Sequence, residues 1–444
     1  MTTQVVVIGA GYAGAGSVKR LERELDGAAE LTWISEQDYH LVLHEVHRCI
    51  RDPAIESKVA IPVTEVKEPS TSFVRDSVVD VDVDERQVHL EDGEPVDYDY
   101  LLVCIGTQTA FYGIDGLREH SYTLKGLDDA REIHAAVREA ADAASRSDPA
   151  KVVVGGAGLS GIQAAGEIAE YRDEHRAPID IRLVEGLDEV FPGNDPEVQG
   201  AIRKRLLEND IEILTGDFIS KVDEHAVYLA GAEETVYGGD AEADGGEADE
   251  ADAEADDEVV EAEADGGEVA PDVADTPAID YSNEHILDYD VLVWTGGITG
   301  QDAAAGIEVE QDERSHRLKA GSDFTTSDDR VFAIGDSALV EQPGEQVAPP
   351  TAQAAWQAAD VAGRNVARAI RGQPLRSWVY DDKGTLISVG EQAIAHDVTL
   401  PGGVDVPMNT FGGPAAVALK KGVACRWIKD VSSLRRALDA WGDM

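Results

Sequence analysis

Only three of the 444 residues are cysteine, Cys49, Cys104 and Cys425, and they lie far apart with no CxxC pair. That excludes a disulfide framework and a paired redox dithiol. No apolar stretch approaches the ~18 residues that a membrane span requires. The first apolar run begins at Gln4, which leaves no room for a signal peptide. The expectation is a cytoplasmic chain, or one resting on the inner face of the membrane. Bases are scarce as well: 37 Lys and Arg stand against 88 Asp and Glu, a formal charge of −51. A surface of that sign repels phosphate backbones and argues against a nucleic-acid partner. Residues 233–275 hold 19 of the acids and no base, so most of the excess lies on the remainder. An acid-rich, lysine-poor surface suits a halophile cytoplasm, where salt screens the self-repulsion.

What is present begins with an internal repeat. Residues 4–36 and 151–185 each read as an apolar run, a glycine-rich turn, a helix-period stretch and a second apolar run. That is a βαβ unit made twice. Short strands are expected at 77–83, 87–90 and 100–105, a helix at 196–208, and strands at 211–215, 226–229, 291–294 and 331–334. A long alanine-rich helix is expected at 351–371, followed by a separate tail over 374–444. Residues 236–280 are mostly Ala, Gly, Asp and Glu and cannot bury a core, so they read as a disordered acidic surface insert.

The chemistry sits in the two glycine turns. In Gly9-Ala10-Gly11-Tyr12-Ala13-Gly14, the first glycine permits the tight turn. The second lets a pyrophosphate approach the backbone, and the third lets helix and strand pack closely. The phosphate charge then meets the helix N-terminus. Gly156, Gly158 and Gly161 repeat the pattern. Glu185 follows at the end of the next strand, where a carboxylate accepts from a ribose 2′-hydroxyl and repels a 2′-phosphate; this favours NADH over NADPH. In the first unit the corresponding position falls on Ser35 and Glu36. DYLLVCIGT at 99–107 and DVLVWTGG at 290–297 are strands that end in glycine turns, which adds Gly106 and Gly297 to the cofactor positions. Val79, within the 77–83 strand, is included with them. No cluster with metal-ligand spacing stands out.

With TTSDDRVFAIGD at 325–336, the chain resembles the two-dinucleotide-domain flavoproteins that include the pyridine-nucleotide disulfide reductases. The resemblance implies that Asp336 binds the flavin's ribityl hydroxyl. Within that group it is most similar to the type II NADH dehydrogenases, single-subunit NADH:quinone oxidoreductases. DYHL at 38–41, GIQAAGEIAE at 161–170, LVEGLDEVFPG at 183–193 and AQAAWQ at 352–357 carry this likeness. It implies FAD on the first loop, NADH on the second, and a quinone near Gln353 and Gln357. These two residues are four apart, hence on one helical face. Gln163, a candidate catalytic position, stands where the family has a Glu near the nicotinamide, and a neutral amide cannot take up a proton as that Glu could. Leu43 replaces a usual Thr.

The implied fold is α/β, with two Rossmann-like domains and a small C-terminal domain. A discontinuous FAD domain spans 1–112 and 301–372, an inserted NADH domain spans 113–300, and an interface or membrane-docking region spans 373–444. The resemblance implies that electrons pass from NADH through flavin to quinone, without ion translocation. In the tail, Trp427, Val431, Leu434, Leu438 and Trp441 fall on one helical stripe. Residues 412–442 carry six bases and two acids. A cationic apolar stripe suits a membrane surface, and also a second copy of the chain or the core. Rival readings are a sulfide:quinone or ferredoxin-type reductase, or a flavin-based sensor or scaffold. The absence of cysteine between Cys104 and Cys425 counts against the thiol-dependent ones. If Glu185 reads the ribose, Glu185→Ala should erode the preference for NADH over NADPH in steady-state assays; an unchanged preference removes it from the site.

Overall fold

The computed structural model describes residues 2–237, 285–400, 404–406 and 408–444. Its first sheet is parallel, in the order Val331–Ala333, Tyr100–Val103, Thr3–Ile8, Ala29–Ser35, Ser72–Arg75. The central strands are runs of Val, Ile and Leu buried on both faces, as a helix-covered parallel sheet demands. The crossover helix Tyr12–Leu25 joins the first two paired strands. Along it lies Ala352–Ile370, whose Thr351 side chain caps the N-terminus by accepting from Ala354 N at 3.1 Å. The two helices pack closely because the contact residues are small. A β-carbon on Gly16 would stand 2.8 Å from Ala359 Cβ.

The second sheet has six strands. His285–Asp288 and Ala226–Tyr237 pair antiparallel at one edge. Ile211–Val222, Ile179–Glu185, Ala150–Gly155 and Val291–Trp294 then follow in parallel. The chain passes between the two sheets twice, and the crossings pair with each other as the antiparallel ladder of Thr107–Thr109 with Ile298–Gly300. A third unit holds the antiparallel sheet Thr385–Val389, Gln392–His396, Thr410–Gly412 and the helices Pro414–Val431 and Leu434–Ala440.

Two expectations are corrected. The strand foreseen at 226–229 runs on to Tyr237, with Leu214 opposite Val236 and Ile213 opposite Tyr237. Val236 and Tyr237 therefore belong to a ladder rather than to the acidic insert. The rest of that insert, 238–280, lies outside the described residues. The tail stripe is also not one helix. Ser432 and Ser433 break it, and the Ser433 hydroxyl accepts from Arg436 N to start the second helix, as a serine before a helix readily does. Trp427 and Val431 are buried in the core, while Leu434, Leu438 and Trp441 are 59%, 66% and 44% exposed.

Trp427 ties the third unit to the first. Its indole N–H donates to His40 Nε2 at 2.7 Å, and its ring stacks on Tyr12 at 4.6 Å and meets Trp356 edge-on at 4.7 Å. Trp427→Ala should destabilise the protein by about 3–5 kcal/mol, measured by urea unfolding. A loss below ~1 kcal/mol would mean that the third unit is not held by this side chain.

Candidate functional site

The first glycine loop leaves the C-terminal edge of the parallel sheet. Gly9 has φ +99°, and a β-carbon there would stand 2.2 Å from Cys104 O; one on Gly14 would stand 1.9 Å from Gly9 O. Trp33 Nε1 pins the loop by donating to Gly9 O at 2.8 Å. Around Gly11 the space is open within 4 Å. The helix beyond starts at Tyr12 and Ala13 with no side-chain cap and no acid in its first turn. Its free N–H groups thus face an open approach, which is the arrangement that receives a phosphate.

Gly335, at φ +68°, brings the turn carrying Asp336 against this loop: its β-carbon would lie 2.9 Å from Ala13 Cβ and 3.7 Å from Ala355 Cβ. Arg317 holds the turn, with Nε on Asp336 O at 2.8 Å and Nη2 on Ala338 O at 2.8 Å. Burial raises the Asp336 carboxyl above the usual range, against the opposing pull of Lys125 and Arg317. Ser35 ends its strand half-buried, and Glu36 beside it is exposed. Gly106 takes φ +70° just beyond Tyr100–Val103. Val79 lies in the small antiparallel sheet Val78–Asp82, Gln87–Leu90, Val96–Asp97, at a register shift and 49% exposed.

The second loop repeats the geometry. Gly156 has φ +91°, and its β-carbon would lie 2.7 Å from Gly296 Cα; that of Gly161 would lie 1.9 Å from Gly156 O. Gly158 precedes the uncapped helix Leu159–His175. The Glu185 carboxylate is buried beside this loop, accepting from Ala157 N at 2.7 Å and Leu187 N at 3.0 Å. Gly297, at φ +144°, lies against the Tyr112 hydroxyl.

Gln353 and Gln357 lie on one face, as their spacing requires, but the segment 380–383 engages both amides. Gln353 Nε2 donates to Tyr380 Oη at 2.8 Å, and its oxygen accepts from Lys383 N at 2.9 Å. Gln357 donates to Asp381 O at 2.8 Å and accepts from Asp381 N at 3.1 Å.

A buried charged cluster joins the three units, and the sequence reading missed it. Glu45 pairs with Lys420 Nζ at 2.7 Å and with Arg48 Nε at 2.6 Å. Glu167 lies 3.3 Å from Arg51 Nε and 3.8 Å from Arg48 Nη1. Gln163 Nε2 donates to Ser388 Oγ at 3.4 Å, and His47 Nε2 meets the same hydroxyl at 3.0 Å. The Tyr12 hydroxyl bonds His44 Nδ1. The signal was His44-Glu45-Val46-His47-Arg48, polar groups crowded next to the apolar positions that follow DYHL. Burial pushes the Glu45 carboxyl up, but Lys420 and Arg48 override it and hold it below the usual range. Burial lowers His40 and His44 to about 4 and takes His47 well below its ordinary value. It also raises Glu167.

The family described as pyridine nucleotide-disulphide oxidoreductase matches residues 3–359. A protein of Staphylococcus saprophyticus named type II NADH:quinone oxidoreductase is 24% identical over 410 residues, covering 89% of this chain and 88% of its own. A protein of the same name from Staphylococcus aureus strain NCTC 8325 is 25% identical, covering 87% of each. Among solved structures, NDH2 of Plasmodium falciparum in complex with NADH superposes with a TM-score of 0.77 at 15% identity, over 99% of this chain and 98% of that one. The sulfide:quinone oxidoreductase of Aquifex aeolicus gives 0.71 at 16%, over 98% and 92%.

The buried histidines set a pH dependence. Unfolded, they take up protons near pH ~6.5, whereas folded His40 and His44 stay neutral down to about 4. The unfolded state therefore binds more protons as pH falls, and stability drops. Glu167, whose carboxyl burial raises, acts in the opposite direction. Between about pH 6.5 and 5, before exposed carboxylates protonate, the urea midpoint should fall, and His44→Gln should flatten the slope. A pH-independent midpoint in that window would mean that these histidines are solvated.

Proposed function

Given that the chain belongs to the pyridine nucleotide-disulphide oxidoreductase family, we propose that it oxidises NADH through FAD and passes the electrons to a quinone. The observation that carries this reading is a pair of glycine loops of like geometry with unlike neighbours. Gly335 and Asp336 close on the first, and Glu185 lies within the second. The loops fit dinucleotides: at Gly11 the approach is open, and both following helices start without a capping side chain. We assign residues 1–112 and 301–372 to FAD, 113–300 to NADH and 373–444 to docking.

When bound, the flavin supplies the two-electron chemistry. The chain's own residues place it. Gly9, Gly11 and Gly14, with the N–H groups at Tyr12 and Ala13, hold one diphosphate; Asp336 accepts from a ribityl hydroxyl. Gly156, Gly158 and Gly161 hold the other diphosphate. Glu185, already aimed by two backbone donors, accepts from the adenosine ribose. Gln163 presents an amide and exchanges no proton. Gln353 and Gln357 belong to the acceptor side, and to touch a quinone carbonyl their amides must exchange partners with residues 380–383. Thiol chemistry finds no support, because the three cysteines are free and buried and burial raises Cys104 and brings Cys49 to about 12.

Among the described residues no helix is long and apolar enough to cross a membrane. Exposed Leu434, Leu438 and Trp441 project from a short helix whose polar side is fastened by Arg436 to Ala60 O at 2.7 Å and Glu65 at 2.8 Å, and by Asp439 to Lys58 at 2.7 Å. This apolar face is the proposed membrane contact. It also leaves room for a second copy. The acid surface is read as an adaptation to high salt.

Anaerobic mixing of the flavin-loaded protein with NADH at high salt should bleach the flavin, and a quinone should restore its colour. No bleaching sinks the dehydrogenase reading; bleaching without reoxidation by any quinone sinks the acceptor. In the same preparation, changing Leu434, Leu438 and Trp441 to Ser should release the protein from vesicles while leaving bleaching intact; retained attachment rejects the contact.

A further inference from the structure

The helices Tyr12–Leu25 and Ala352–Ile370 run side by side. The far end of the second is roughly 28 Å from its first turn, taking ~1.5 Å per residue. At that far end is a cavity of about 270 Å³, lined by Glu24, Arg364, Arg368, Arg371, Gln373 and Arg376. Arg364, Arg368 and Arg371 are spaced four and three apart, so one helical face presents them together.

Negative partners are few there. Arg364 pairs with Asp360 at 3.0 Å, and Glu24 forms longer ion pairs with Arg364 at 3.9 Å and Arg371 at 3.8 Å, while its backbone oxygen accepts from Arg371 Nη2. Arg368 spends Nε on Pro374 O at 2.6 Å. Among the described residues no side-chain hydrogen bond or ion pair engages Arg376, whose backbone alone is held, by Asn365. A helix C-terminus favours one or two cations. It does not account for four guanidiniums round one cavity in a chain with 88 acids and 37 bases, where Glu24 is the single carboxylate among the lining residues.

We propose that Arg364, Arg368, Arg371 and Arg376 form a binding site for a phosphate-bearing anion, separate from both glycine loops. Planar guanidiniums match phosphate oxygens two at a time. The volume is below the ~300–1,000 Å³ of pockets that hold drug-sized ligands, so the occupant is of diphosphate or headgroup size rather than a whole dinucleotide. Its source is either a soluble phosphate compound or a lipid headgroup.

The test uses the full, flavin-loaded chain saturated with NAD⁺, so that the second loop cannot report. Inorganic diphosphate, titrated by calorimetry, should bind one per chain. The double variant Arg368→Gln/Arg376→Gln, alike in melting temperature and NADH turnover, should bind at least tenfold more weakly, and Arg368→Lys/Arg376→Lys should recover part of the loss. No binding, or equal affinity in the Gln variant, overturns the site. Sedimentation with phosphatidylcholine vesicles containing phosphatidic acid separates the sources. Attachment that diphosphate competes away, and that the Gln variant lacks, identifies a lipid headgroup. Diphosphate binding with no effect on attachment identifies a soluble anion.

Discussion

A β-carbon on Gly9 would collide with Cys104 O, and one on Gly14 with Gly9 O, at 2.2 and 1.9 Å. Strand, loop and helix of the first unit can close on one another only because those side chains are absent. The remaining arrangement follows from this contact. It fixes the first turn of the helix, so that Ala13 receives Gly335 and Tyr12 faces Trp427. The first of these contacts brings Asp336 to the loop, and the second brings in the C-terminal unit. The same backbone approach is built a second time between Gly156, Gly161 and Gly296, which is why one local pattern yields two sites.

The C-terminal unit depends on a second, electrostatic constraint. Lys420 reaches Glu45 in a largely buried cluster with Arg48, His47 and Glu167, with the half-buried His44 at its edge. Buried ion pairs add little net stability, because desolvation offsets the attraction. Breaking one is another matter: withdrawing Lys420 would leave the buried Glu45 carboxylate with Arg48 as its remaining ion-pair partner and one oxygen unpaired. The register of the helix Pro414–Val431 is therefore tied to this pair and to the Trp427–His40 hydrogen bond. Ser388, from the same unit, reaches both His47 and Gln163. The second glycine helix is thereby linked to the residues that surround the first.

Much of this was legible because it is local. Apolar runs without polar interruption gave the parallel strands; 291–294 and 196–208 coincide with the strand Val291–Trp294 and the helix Pro196–Glu208. In the structure Pro196 opens that helix and the Asp195 side chain caps it by accepting from Glu197 N. The long helix foreseen at 351–371 is Ala352–Ile370. Local patterns failed where a distant partner overrides them. The extension of the strand to Tyr237 depends on its ladder with Ile211–Val222, which no short window contains. The tail's apolar spacing was real, but two serines divide it, and burial by the first unit separates Trp427 from Trp441.

The sequence by itself determined the two βαβ units, their glycine turns and the carboxylate after the second, because turn sterics and strand burial act within about 35 residues of chain. Only the tertiary structure decided what surrounds them. Gln353 and Gln357 share a face by helical period alone, yet a segment some 25 residues later takes their amides. Glu45 and Lys420, 375 positions apart, become partners only once three units are packed. Periodicity and turn chemistry are properties of neighbours along the chain. Charge pairing and amide satisfaction are settled by whichever groups desolvation brings together, and that is a property of the fold.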